Sequence, residues 1–389
     1  MESVSPFTMN DKILPLGKLP APLLANLLVR APVDDPCIVV GPGIGVDCAV
    51  VEPGDTLLVC KADPITFVSD EVGRYLVQVN ANDVATTGAT PCWLLVTLLL
   101  PEHRTAAACA ESLMEEVYAA CRIQGFSIIG GHTEITYGID RPLAVGALPG
   151  TVKRDALITP KGAKAGDRLL LTKSVPIDGT SILARECVDR LRTVLIEEEL
   201  ITAQNFLSEP GIGVVRDARI AVGAGTVTAM HDPAEGGLNA ALWELAEASR
   251  PSLHMDLADV PVAPISARIC AAFGFDPLET ISSGALLIAA RAGCGAHQCG
   301  AGGGGYPLPR GARRPARRLP PHRIRRRAPG LARAGWGGTG LRVANLRQGV
   351  PDGYSNWAVA ACGDTCDGAG VGPMARVVQV GVDCRCDNF

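Results

Sequence analysis

Gly41-Pro42-Gly43-Ile44-Gly45-Val46-Asp47-Cys48-Ala49-Val50 runs between short β-rich stretches at 37–40 and 49–51, and a third follows at 56–60. Glycines here let a backbone wrap closely around a phosphate, and Asp47 adds a carboxylate that can hold a metal ion. The same composition also makes an ordinary turn, so the stretch decides the fold only together with its surroundings. Lys61-Ala62-Asp63-Pro64 ends a strand, with Pro64 keeping Asp63 extended or, alternatively, Asp63 starting a turn. Asn80-Ala81-Asn82-Asp83 puts three short polar groups inside a helical stretch, where they normally compete with the backbone. Either they bind something or they form a solvated helix face. Carboxylates converging from Asp47, Asp63 and Asp83 would suit magnesium, which prefers hard oxygen ligands and bridges nucleotide phosphates.

Further along, Gly130-Gly131-His132-Thr133-Glu134 follows the apolar run 126–129 and brings polar side chains out where a strand meets a loop. His132 would suit a metal or phosphate, Thr133 a hydrogen bond and Glu134 a metal or proton. A Gly-Gly bulge with incidental polar neighbours is the other reading. His231-Asp232-Pro233-Ala234-Glu235-Gly236-Gly237-Leu238 joins a strand to a helix, and free N–H groups near the glycines favour an anion there; Asp232 could equally be the cap of that helix.

Strands and helices alternate through the first half, with helical stretches at 71–88 and 105–125, a pattern of α/β or α+β type. A turn-rich hinge at 159–167 predicts a boundary, giving a first domain at 1–158 and a second at 159–290. The chain has 389 residues, enough for two cores, and is 47% hydrophobic and 20% charged, so it should fold. From 291 to 350 there is no Asp or Glu, while Arg, Gly and Pro dominate. Residues 291–389 therefore read as an anomalous region, either disordered or the product of a shifted reading frame; a basic nucleic-acid-binding tail is the weaker account. The net charge of −4 offers no overall attraction to nucleic acid or an anionic membrane. The longest apolar run, 92–100, is about half of a membrane span, and no secretory signal is recognised at the start, so a cytoplasmic protein without a membrane partner is expected. The 14 cysteines lack the spacing of a disulfide framework and read as reduced thiols; a zinc site at Cys362, Cys366, Cys384 and Cys386 would need an irregular spacing.

In this order, the blocks at 17–20, 40–50, 61–67, 79–91, 130–136, 141–142, 172–173, 231–238 and 283–288 resemble the PurM-like superfamily, most closely its AIR synthase-related members and more distantly the HypE hydrogenase maturation factors. The resemblance implies an N-terminal α/β domain that pairs in a homodimer to build a β-barrel, and a C-terminal α/β domain closing over ATP and Mg2+. It implies that Asp47, Asp63 and Asp83 hold metal, that Gly43, Gly45, Asn82, Gly130, Gly131 and Thr133 bind the nucleotide, and that Asp63, His132 and Glu134 are catalytic. The activity implied is phosphotransfer or ATP-dependent activation of a small-molecule or protein-bound acceptor; the alternatives are a HypE-like maturation factor and a nucleotide-binding accessory protein without turnover. HypE ends in Pro-Arg-Ile-Cys, has Gly-Gly-Asp-Thr-Lys at the His132 block and Asn-Glu-Gly at Ser282-Ser283-Gly284, whereas this chain ends Cys384-Arg385-Cys386-Asp387-Asn388-Phe389. The HypE acceptor cysteine and presumed base therefore have no counterpart here.

Overall fold

The computed structural model describes residues 14, 17–291, 340–342 and 380–383. In the first half, α1 (Ala21–Leu28) precedes β1 (Ile38–Val40), β2 (Ala49–Val51), β3 (Leu57–Ile65), α2 (Val72–Thr86), β4 (Thr90–Pro91), β5 (Trp93–Pro101), α3 (Ala107–Gln124), β6 (Ser127–Thr136) and β7 (Leu143–Val152). The strands form one sheet in the order β1-β2-β3-β7-β5-β6, with β4 beside β7. β5 and β6 run parallel and are joined through α3. β5 alternates strictly, with Leu94, Val96, Leu98 and Leu100 buried and Trp93 and Leu95 turned outward. That period-2 pattern fixes which sheet face the helices cover. α3 stops at Gly125, whose φ of 77° suits a residue without a Cβ.

The second half contributes β8 (Asp167–Leu171), α4 (Asp178–Glu186), α5 (Val188–Leu191), α6 (Glu197–Gln204), α7 (Val215–Gly223), β9 (Val227–His231), α8 (Gly237–Ser249), β10 (Ser252–Asp256), α9 (Pro264–Phe273), β11 (Leu287–Arg291), β12 (Gly340–Arg342) and β13 (Val380–Asp383). Its sheet runs β12-β10-β13-β8-β11-β9. Leu169, Leu171, Leu287 and Ala289 of this sheet pack against Leu238, Leu242 and Leu245 of α8. The result is a mixed α/β fold in two parts, as the sequence pattern predicts. α2 lies between the first sheet, α3 and α7 of the second half, which is why nearly every residue along it is buried.

Elements beyond the sequence reading include α1, β10 and α9. α9 nevertheless carries both punctuation marks of a helix, Pro264 in its first turn and Gly274 at φ 71° after its end. Among the described residues, no helix is long and apolar enough to cross a membrane, and the eight cysteines are free thiols. The zinc candidates and most of the Arg/Gly/Pro-rich stretch lie outside the described residues.

Candidate functional site

β3 buries Leu57, Val59 and Ile65, so Lys61 and Asp63, in step with them, point to the same helix-covered face. α2 meets them with Asn80, Asn82 and Asp83, all buried. Lys61 Nζ lies 2.7 Å from Asp83 Oδ2 and 3.6 Å from Asp63 Oδ1. Burial pushes the Asp63 carboxyl up to about 6, with Lys61 opposing and the carboxylates of Asp83, Glu235 and Asp47 adding to the shift. Burial alone would drive the Lys61 ammonium toward neutrality, but Asp83, Asp63 and Asp47 outweigh it and keep the charge.

The second half supplies a matching set. His231 ends β9, only 3% exposed, with Nδ1 2.9 Å from Asp47 Oδ2 and Nε2 2.8 Å from Glu244 Oε2 on α8. An imidazole wedged between two carboxylates stays protonated: burial opposes the charge, and Asp47 and Glu244 prevail, raising His231 well above the usual histidine range. In turn His231 holds Asp47 well below the usual carboxylate range against its own burial. Lys18 completes the chain, its Nζ 3.0 Å from Glu244 Oε1. The glycine loop is pressed onto α8 at Gly45, where φ is +68° and a Cβ would stand 2.5 Å from the Glu244 carbonyl oxygen. Only glycine fits that approach.

Asp232 lies beside this chain, 2% exposed, and burial followed by the charge of Asp83 pushes its carboxyl well above the usual range. Neither Asp232 Oδ2 nor Asp83 Oδ2 receives an aligned hydrogen bond. Lys61 supplies a charge to Asp83, and Asp232, buried against it without a donor, is left to take a proton or a metal ion. Ligand atoms of Asp47, His231 and Asp232 all fall within 4.8 Å of one another, a grouping that could hold a metal ion.

The three carboxylates picked from the sequence thus separate in the structure. Asp47 is gathered with His231 and Asp232, while Asp63 and Asp83 share Lys61. Asn82 is already committed: its Nδ2 donates to Ile212 O at 2.7 Å and its Oδ1 accepts from Val214 N at 2.8 Å. It ties α2 to the 212–214 loop and has little left to offer a nucleotide. Gly43 lies half-buried within the loop, with Val46 Cγ2 3.3 Å from where its Cβ would be.

Gly131 on β6 pairs with Val96, which pairs with Gly146, which pairs with Asp63. Three strand spacings, roughly 14 Å, therefore separate β6 from β3. A Cβ on Gly131 would lie 1.8 Å from Val96 O, so the glycine is demanded by the close run of β6 past β5, and Gly130 beside it has φ 151°. Thr133 pairs with buried Leu98, but His132 and Glu134 pair with Thr97 and Leu99 and so point to the opposite, outer face. They contact each other at 3.1 Å and are exposed. One chain does not bring them to the Asp47–Asp83 cluster, contrary to the expectation from their motif, because strand parity turns them away.

Lys61, His231, Asp232, Glu244 and Lys18 complete the cluster, and none was selected from sequence as a metal or catalytic residue. Lys61 carried a signal, standing two residues before Asp63 on a strand. The cap role for Asp232 is not realised: α8 is capped by Gly236 at φ 83° without a side-chain bond.

Residues 45–152 match the family model of the AIR synthase related protein N-terminal domain, and residues 164–298 that of its C-terminal domain. Between them the two matches span more than half of the chain, which belongs to the AIR synthase-related family. Among curated relatives, the carbamoyl dehydratase HypE of Cupriavidus necator is 29% identical over 260 residues, 64% of this chain and 68% of the relative. HypE of Escherichia coli is 30% identical over 237 residues, 58% of this chain and 64% of the relative. The chain therefore spans about two thirds of the length of these relatives. The fold is shared with the HypE of a HypE–HypF complex at TM-score 0.55 and 17% identity, covering 69% of this chain and 84% of that one. A ThiL complexed with AMPPCP and TMP gives TM-score 0.55 at 19% identity, covering 70% and 87%, and a HypE in complex with ATP gives 0.52 at 22%, covering 67% and 74%.

Proposed function

We propose that the chain is an ATP-using, magnesium-dependent enzyme that phosphorylates or activates a small-molecule or protein-bound acceptor. The observation that carries this reading is the buried meeting of Asp83 from the first half with Asp232 from the second, beside Asp47, with Asp232 Oδ2 lacking a donor. Hard oxygen donors in that arrangement suit Mg2+, held by Asp47, Asp83 and Asp232. The bound ion would neutralise phosphate oxygens of the nucleotide. The rest falls to the protein: the loop at Gly43 and Gly45 offers backbone near the phosphates, His231 orients Asp47, and Asp63, poised at about 6, can accept a proton at its carboxylate from an acceptor hydroxyl or amide. The ATP and AMPPCP bound by HypE and ThiL structures of the same fold support the choice of nucleotide.

The same reading keeps a two-domain chain with its junction near residue 158, working in the cytoplasm as a homodimer paired through the outer face of the first sheet. Calorimetry of ATP with and without Mg2+ on the full chain and on Asp232→Asn tests it. Binding that needs Mg2+ and is lost in the variant is the expected result. A folded chain that binds no ATP under either condition would sink the enzyme reading, and tight binding with no turnover against any acceptor would favour the accessory role.

A further inference from the structure

Lys61 is left without a task by the nucleotide site as described. Its side chain, 13% exposed, brings one ammonium to two carboxylates, Asp83 at 2.7 Å and Asp63 at 3.6 Å. Asp83 is the carboxylate through which α2 would hold the divalent ion, and Asp63 stands beside it on β3. The neighbouring Asp232 Oδ2 is buried without a donor and faces Asp83. An ammonium has one charge and three donors, so it leaves such a set of oxygens partly unsatisfied, whereas a six-coordinate divalent ion can bind several of them together.

We propose that Lys61 is a resident counterion that competes with a divalent cation for the Asp83 carboxylate, and that it gives Asp83 up, and Asp63 with it, when its ammonium is drawn onto the phosphates of a polyphosphate ligand. The phosphate half rests on the function proposed above; the metal half rests on the distances alone. A metal arriving alone must leave a buried ammonium without a partner, which is costly, while a metal arriving with polyphosphate supplies the lysine with a new one. Metal and polyphosphate then favour each other's binding, and by linkage the coupling is reciprocal. Lys61 thereby guards the site against free metal and selects the metal–polyphosphate pair.

The test uses Mn2+ alone, followed by electron paramagnetic resonance, with the full chain, Lys61→Met and Lys61→Arg. Lys61→Met frees the carboxylates and should bind Mn2+ about tenfold more tightly than the wild type, while Lys61→Arg, whose fork can hold both carboxylates, should bind it more weakly. With a non-hydrolysable ATP analogue in excess Mg2+, Lys61→Met should bind about tenfold more weakly than the wild type. Circular dichroism establishes folding. Mn2+ affinity in folded Lys61→Met that equals or falls below wild type overturns the proposal; should that variant not fold, Lys61→Arg binding Mn2+ as tightly as wild type or more so overturns it instead. A wild-type chain that binds Mn2+ but no analogue removes the nucleotide reading, and the Mn2+ ordering still decides the role of Lys61.

Discussion

Asp178 opens α4 with its side chain buried, Oδ1 accepting the Gly179 N–H at 2.9 Å and Ser283 close by. Burial pushes this carboxyl up to about 7, with those hydrogen bonds restraining the shift. An unfolded aspartate titrates near 3.9, so between those values the folded state holds a proton that the unfolded chain has lost. The contribution to stability is complete below about pH 4 and disappears as the pH rises through about 7. Urea unfolding at intervals from pH 5 to 8 should show the wild type losing stability relative to Asp178→Asn, by about 1.4 kcal/mol per pH unit at its steepest. Parallel profiles for the two chains would refute the assignment. His231 makes the reverse case, a charge that the fold needs. Removing it in His231→Ala leaves Asp47 and Glu244 near each other with only the lysines Lys18 and Lys61 to compensate, and thermal or urea unfolding should report a loss of about 3–5 kcal/mol.

At the level of elements, α2 acts as the beam to which both halves are fastened, and Asn82 is the fastening. Asn82→Ala strands Ile212 O and Val214 N, each deprived of its partner in a buried place, and should lower stability by about 3 kcal/mol in chemical denaturation. If Asn82 were instead mainly a nucleotide contact, ATP affinity would fall while unfolding stayed unchanged. Elements such as α3 and α8 were legible from their apolar spacing and their glycines, and so were the local motifs carrying Asp47, Asp63 and Asp83. What could not be read was which of these would meet. The pairing of His231 with Asp47 joins residues 184 positions apart in the chain, and periodicity says nothing about contacts between halves. His132 and Glu134 illustrate the complementary limit: their motif reads as a strand end, whereas β6 runs through it from Ser127 to Thr136, and only the register of β6 on β5 shows which face they take. A shift of one residue would have turned them inward.

Across the whole molecule, the first sheet is covered by helices on one side and presents Trp93 and Leu95, 38% and 39% exposed, on the other, with Thr97, Leu99 and Val145 partly exposed beside them. Contiguous apolar surface of this kind on a sheet face suits an interface, and the homodimer proposed above would set the same patch against itself. His132 and Glu134 share this outer face, so pairing would place them at or beside the contact, where their loss acts on association before it acts on metal binding. Sedimentation of the wild type as a dimer, of Leu95→Lys as a folded monomer and of the His132→Ala, Glu134→Ala double variant as a weakened dimer with unchanged Mn2+ affinity is the expected set. A dimer untouched by Leu95→Lys would move the interface elsewhere. Mn2+ binding lost in the double variant while the dimer persists would return both side chains to the metal site, and would mean that one protomer completes the site of its partner.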